Sequence, residues 1–233
     1  MTTQHTQSLI KKFQFQNTGA NITDAQLSIM ITLNVIASDM HELIGSNNLI
    51  KPVVTLSKSL SKPYTSSDYT NIYLAVDENS HLGQIVYQFA HEYCHYIIRS
   101  PWPSPRDAWL EEAVCETSSR YWLRKCSFLF PTLKSYFSDY LALVTKTNMI
   151  GTPWNQLTNE ASPLLSSMRE NHELREPQRF IAKNLLTCLS ESDLPDFLLL
   201  SQFRDNRPFI GNFDLLTANH PNGAFKKLPE LLG

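Results

Sequence analysis

The rhythm of apolar positions changes near the middle of this chain. In "LIKKFQFQ", residues 9–16, Phe13 and Phe15 alternate with polar residues, the period of a short strand with both rings on one face. From about Asp24 to Leu43 the positions Leu27, Met30, Ile31, Asn34, Val35 and Ala37 approximate a helical stripe, with Thr23 or Asp24 placed to cap it and Gly45 to end it. "LIKPVVTLS" and "YTNIYLAVD" are β-branched and aromatic runs that read as strands, and the Ser/Lys/Pro-rich "KSLSKPYTSSD" reads as a long polar connection between them. Pro52 suits an edge or a strand start. Asp77 and Ser80 are candidate N-caps for the next helix, "HLGQIVYQFAHEYCHYIIRS", which "SPWPSP" stops.

From there on the pattern is helical. Ser104 as cap, Pro105 as the first helical residue and Asp107 three after the cap make a variant capping box for a helix running from Pro105 to about Lys125. Segments near 131–147, 161–171, 177–190 and 194–204 follow with helical periodicity, and no strand pattern there is comparably strong. The expectation is an α+β fold in one domain over residues 1–233. An α+β subdomain covers 1–103 and a helical subdomain 104–233.

Composition narrows the function. Twenty basic residues against 22 acidic ones, a net charge of -2, make no field to recruit nucleic acid. Seven scattered glycines form no phosphate-cradling loop. The most apolar stretch, residues 25–45, is interrupted by Ser28, Thr32, Asn34, Ser38 and Asp39, so no bilayer-spanning helix is expected. The N-terminal "MTTQHTQSLIKKFQFQ" lacks the apolar core of a secretory signal, and Cys94, Cys115, Cys126 and Cys188 show no CxxC pairing. Reduced core thiols and a cytoplasmic location are the expectation.

One pentapeptide carries chemistry: His91-Glu92-Tyr93-Cys94-His95. On a helix, positions i and i+4 lie about 40° apart around the axis and about 6 Å apart along it, so both imidazoles can serve one metal ion. Glu92 is offset by about 100° from His91, able to reach a water on that metal and act as its general base. A catalytic zinc needs a third protein ligand. Glu112, 17 residues after His95 in "AWLEEAVCETSSRYW", stands on the next helix, and Glu111 is its rival. Glu116, four after Glu112, can accept a hydrogen bond from the far nitrogen of a ligand histidine, whereas Glu111 has Cys115 at that spacing. By contrast "HELIG", residues 41–45, has Gly45 in place of a second histidine and reads as a helix end with His41 near the dipole. Cys94 and Cys115 read as small core residues, Tyr121, Trp122 and Leu123 as helix packing, and His5, His81, His172 and His220 as isolated side chains.

"HEYCH" followed by "WLEEAVCE" resembles the gluzincin metallopeptidases, the thermolysin and aminopeptidase N lineage, over residues about 69–120. The resemblance, to a small divergent member, implies a zincin-like fold: a small N-terminal sheet with the active-site helix, then a mainly helical half. It implies Zn2+ held by His91, His95 and Glu112, support from Glu116, and a peptide or protein substrate hydrolysed by a metal-activated water with Glu92 as general base. It makes "TNIYLAV" the exposed edge strand on which an extended peptide can add. An oxyanion donor is also required, for which Tyr136, Tyr140 and His172 are candidates. The competing expectation is a catalytically inactive zincin-fold module that binds a peptide or protein.

Overall fold

A computed structural model describes residues 8–16, 21–44, 50–98, 108–149 and 161–188. The expectations that rest on Gly45, on "SPWPSP", on the Ser104–Asp107 cap and on residues 194–204 lie outside them. The described residues form a mixed α+β fold that is mostly helical, with six α-helices and one four-stranded sheet. In order these are β1 Lys12–Gln14, α1 Asp24–Ile44, β2 Val53–Leu56, β3 Tyr64–Thr65, β4 Asn71–Leu74, α2 Leu82–Ile98, α3 Ala108–Leu129, α4 Lys134–Val144, α5 Pro163–Glu170 and α6 Arg175–Cys188. A 3-10 turn, Pro131–Leu133, joins α3 to α4.

The sheet runs β1-β2-β4-β3, with β1, β2 and β4 parallel and β3 antiparallel to β4. Val54, Leu56, Ile72 and Leu74 turn to the buried face, while Val53, Thr55, Asn71 and Tyr73 alternate onto the half-exposed one. Phe13 and Phe15 stack as their alternation predicts, with ring centroids 6.2 Å apart. Pro52 stands just before β2, and its carbonyl accepts from Lys11 N at 2.9 Å.

Three expectations need correction here. The polar connection is not strand-free, because Tyr64 and Thr65 pair with Tyr73 and Ile72. In consequence β4 is an inner strand, and β3 is the edge next to it. In α1 the buried face is Ile29, Leu33, Ile36, Ala37 and Met40, whereas Leu27 and Ile31 are 48% and 50% exposed. Apolar residues occupy most sides of α1, so two stripes of helical spacing compete, and of the positions named from sequence only Ala37 is buried. Finally, Asp77 and Ser80 cap each other and not α2. The Ser80 hydroxyl donates to Asp77 Oδ1 and accepts from Asp77 N, while the His81 carbonyl takes the first α2 bonds from Gln84 N and Ile85 N. Thr23 does cap α1, in a reciprocal box: Gln26 N donates to Thr23 Oγ1 and Thr23 N to Gln26 Oε1.

The chain divides into two compact units. One contains the sheet, α1, α2 and Trp122–Tyr140. There Gly83 admits the backbone of α4, since a Cβ at that position would meet Tyr136 O at 2.4 Å and Tyr140 Cβ at 2.6 Å. The other unit contains α3 up to Tyr121 and, from Leu141 onward, the end of α4 with α5 and α6. It is held by Arg120, which is fully buried. Its Nε donates to Glu116 Oε1 at 2.9 Å, its Nη1 to Arg179 O at 2.9 Å and its Nη2 to Val144 O at 2.7 Å. Val144 is the last residue of α4, so the guanidinium caps that helix C-terminus. Among the described residues no helix is long and apolar enough to cross a membrane.

Candidate metal centre

Helix α2 is apolar around most of its circumference, and Ile85, Val86, Phe89, Ala90, Tyr93, Cys94 and Ile97 are buried along it. This packing fixes the helix, and its remaining strip carries Gln84, Tyr87, His91 and His95, all partly exposed. The two histidines meet as the i, i+4 spacing requires. Nε2 of His91 lies 3.3 Å from Nε2 of His95, with the rings inclined at 66°.

That separation fits a shared ion. Two imidazoles bonded tetrahedrally to one zinc at 2.0–2.1 Å place their nitrogens about 3.3 Å apart. Glu112 of α3 completes the set: one carboxylate oxygen and one nitrogen from each histidine all lie within 4.8 Å of one another. His91, His95 and Glu112 are each half-buried, so the group is neither sealed nor fully hydrated. The donors are two imidazoles and a carboxylate, which suit a borderline divalent ion.

Glu92, about 100° round the helix from His91, is buried, at 4% exposure. Its carboxylate Oε2 is 3.1 Å from the Thr65 hydroxyl, which also lies 2.8 Å from the Glu92 carbonyl oxygen. Edge strand β3 therefore runs beside the residue expected to act as base. Glu116 is buried too, and its Oε1 is engaged by Arg120. Glu111 occupies the first turn of α3 but is not in the metal-competent group. Lys125, further along α3, pairs with Asp39 of α1 at 3.0 Å.

The oxyanion candidates part company. Tyr140 packs its ring edge-on to Tyr87, 5.6 Å away, and Tyr87 is one turn before His91 on the same side of α2. Tyr136 packs tilted against His81, with ring centroids 5.3 Å apart, and His81 stands just before α2, ten residues before His91. His172 is exposed in the turn between α5 and α6. Thr65 is the contact that sequence reasoning missed. It sits in a two-residue strand inside a polar run, too short to show a period.

No family model, no curated protein and no solved structure matches this chain.

Proposed function

We propose that this protein is a zinc-dependent peptide-bond hydrolase, a small divergent gluzincin in which His91, His95 and Glu112 hold the metal. The observation that carries the reading is the convergence of one nitrogen from each imidazole and a carboxylate oxygen within 4.8 Å, next to a buried glutamate in HExxH position. Zinc bound there would supply a Lewis acid that polarises a carbonyl and acidifies water. Glu92 would accept the proton of the attacking water and return it to the departing amine. Tyr140 is the best placed of the three oxyanion candidates, through its contact with Tyr87. Glu116, held by Arg120 four residues on, would steady α3 beneath Glu112 and accept from a ligand imidazole.

A peptide is the favoured substrate class because β3, the terminal strand of the sheet among the described residues, runs beside Glu92. An extended chain added there would be drawn along α2. The buried free thiols of Cys94, Cys115 and Cys126 support a reducing, cytoplasmic setting. Burial, with Asp39 adding to the rise and Lys125 opposing it, pushes the Cys126 thiol up to about 12.

The test is metal content and hydrolysis measured together. Wild-type protein should carry about one zinc per chain and cleave members of a mixed fluorogenic peptide library. His91→Ala should lose the metal, and Glu92→Gln should keep the metal and lose cleavage. Protein purified without chelators that binds no zinc refutes the reading. Zinc binding without cleavage, in wild type and Glu92→Gln alike, selects the inactive peptide-binding module instead.

A further inference from the structure

We propose that Thr65 is a positioning residue for Glu92: its hydroxyl, presented by edge strand β3, orients the glutamate carboxylate toward the metal centre. This rests on the reading of Glu92 as the base of that centre.

The geometry is local and specific. Thr65 Oγ1 lies 3.1 Å from Glu92 Oε2 and 2.8 Å from the Glu92 carbonyl oxygen, so a single hydroxyl touches both the side chain and the backbone of one residue. The single hydroxyl proton is shared between these two acceptors, and the bifurcated contact, across 27 residues of sequence, restrains the carboxylate against its own helix. A glutamate side chain has three rotatable bonds, and fixing one carboxylate oxygen sets the plane in which the other is presented. The strand itself is built to aim this hydroxyl. Thr65 pairs with Ile72, whose side chain is fully buried, so Thr65 shares the inward face of the sheet while Tyr64 turns outward onto Tyr73. Next along the chain, the turn at Ser66–Asn71 locks the strand. Ser66 N donates to Asn71 O at 2.9 Å, Tyr69 N donates to Ser66 O at 2.8 Å, and Tyr69 adopts φ 55, a left-handed conformation unusual for a non-glycine residue. A hydroxyl held by so short a strand depends on such bracing. A valine there would keep the shape and the β-propensity and delete only the hydroxyl with its shared proton.

The test uses the whole protein loaded with Co2+, whose visible absorption reports what its ligands are, and acetohydroxamate, a small chelating acid whose N–OH proton needs an acceptor beside the metal. Thr65→Val should bind Co2+ like the wild type but bind acetohydroxamate about tenfold more weakly, the loss expected for a hydrogen bond to a charged group. Glu92→Gln should show a loss at least as large, and Thr65→Ser should stay within about threefold of wild type. Equal acetohydroxamate affinity in wild type and Thr65→Val overturns the role of Thr65 alone. A wild-type protein that takes up no Co2+ overturns the metal centre and the assignment of Thr65 with it. Should Thr65→Val fail to fold, as judged by circular dichroism, Thr65→Ala against Thr65→Ser makes the same comparison. Weak acetohydroxamate binding in both also overturns the hydroxyl's role, since the methyl group would then be what matters.

Discussion

Replacing Arg120 should damage the fold far more than removing a surface charge would. The side chain is wholly buried, and Glu116, its ion-pair partner, is 4% exposed, with Nη2 and Nε both 2.9 Å from Oε1. Breaking a buried pair by deleting one member costs about 3–5 kcal/mol, because the remaining charge stays desolvated without its counter-ion. Arg120→Met keeps most of the aliphatic bulk and removes that counter-ion. It also strips the donor from Val144 O, the terminal carbonyl of α4, whereas Arg179 O lies inside α6 and keeps a helical partner. The expected loss is therefore about 4 kcal/mol, read from urea unfolding followed by circular dichroism. Arg120→Lys should fall between, since an ammonium cannot span acceptors that a planar guanidinium reaches at once. The decisive comparison is the double variant Glu116→Gln/Arg120→Met. Removing the carboxylate that has lost its arginine should return at least about 1 kcal/mol of what Arg120→Met alone loses. If Arg120→Met lies within about 1 kcal/mol of wild type, or the double variant is no better than the single, the Arg120–Glu116 pair does not hold this part of the fold.

Two further predictions concern the elements around α2. Gly83→Ala should destabilise the protein by about 1–3 kcal/mol despite the better helix propensity of alanine, because the new methyl meets the α4 backbone at 2.4 Å; a stabilised variant in urea melts would refute the close approach. The Lys58–Asp77 ion pair holds the Asp77 carboxyl below the usual carboxylate range, with hydrogen bonds from Ser80 and Asn79 N adding to the effect. Because the folded value is the depressed one, the stabilisation is present above about pH 4 and is lost as pH falls through the folded value. Lys58 is more than half exposed, so solvent screening limits the gain to at most about 1 kcal/mol. The stability difference between wild type and Lys58→Met should accordingly be largest near neutral pH and vanish in strong acid. A difference that persists unchanged at pH 2 would show that the charge pair is not its source.

What could be read from the sequence follows the range over which each interaction acts. His91 and His95 meet because a helix brings i and i+4 together, so recognising α2 was enough to foresee their contact. The cap at Thr23 is equally local. Thr65 and Glu92 are 27 residues apart and joined by one hydroxyl, and Arg120 gathers carbonyls 24 and 59 residues away; neither pattern has a period to detect. A wholly buried arginine also runs against the expectation that charged side chains stay at the surface. For α1 the difficulty was the reverse, an excess of apolar positions that left its inward face undetermined until the sheet was in place.

The spacing of the two imidazoles is compatible with a direct N–H···N hydrogen bond as well as with a shared ion, so distance alone does not decide between them. The donor set weighs between them. A hydrogen-bonded pair of histidines has no need of a third donor, yet Glu112 places a carboxylate oxygen within 4.8 Å of a nitrogen of each ring. Two imidazoles and a carboxylate that converge in this way are a set that could hold a divalent ion. Metal content of the wild type against His91→Ala separates the two arrangements, since a hydrogen-bonded pair leaves both proteins metal-free.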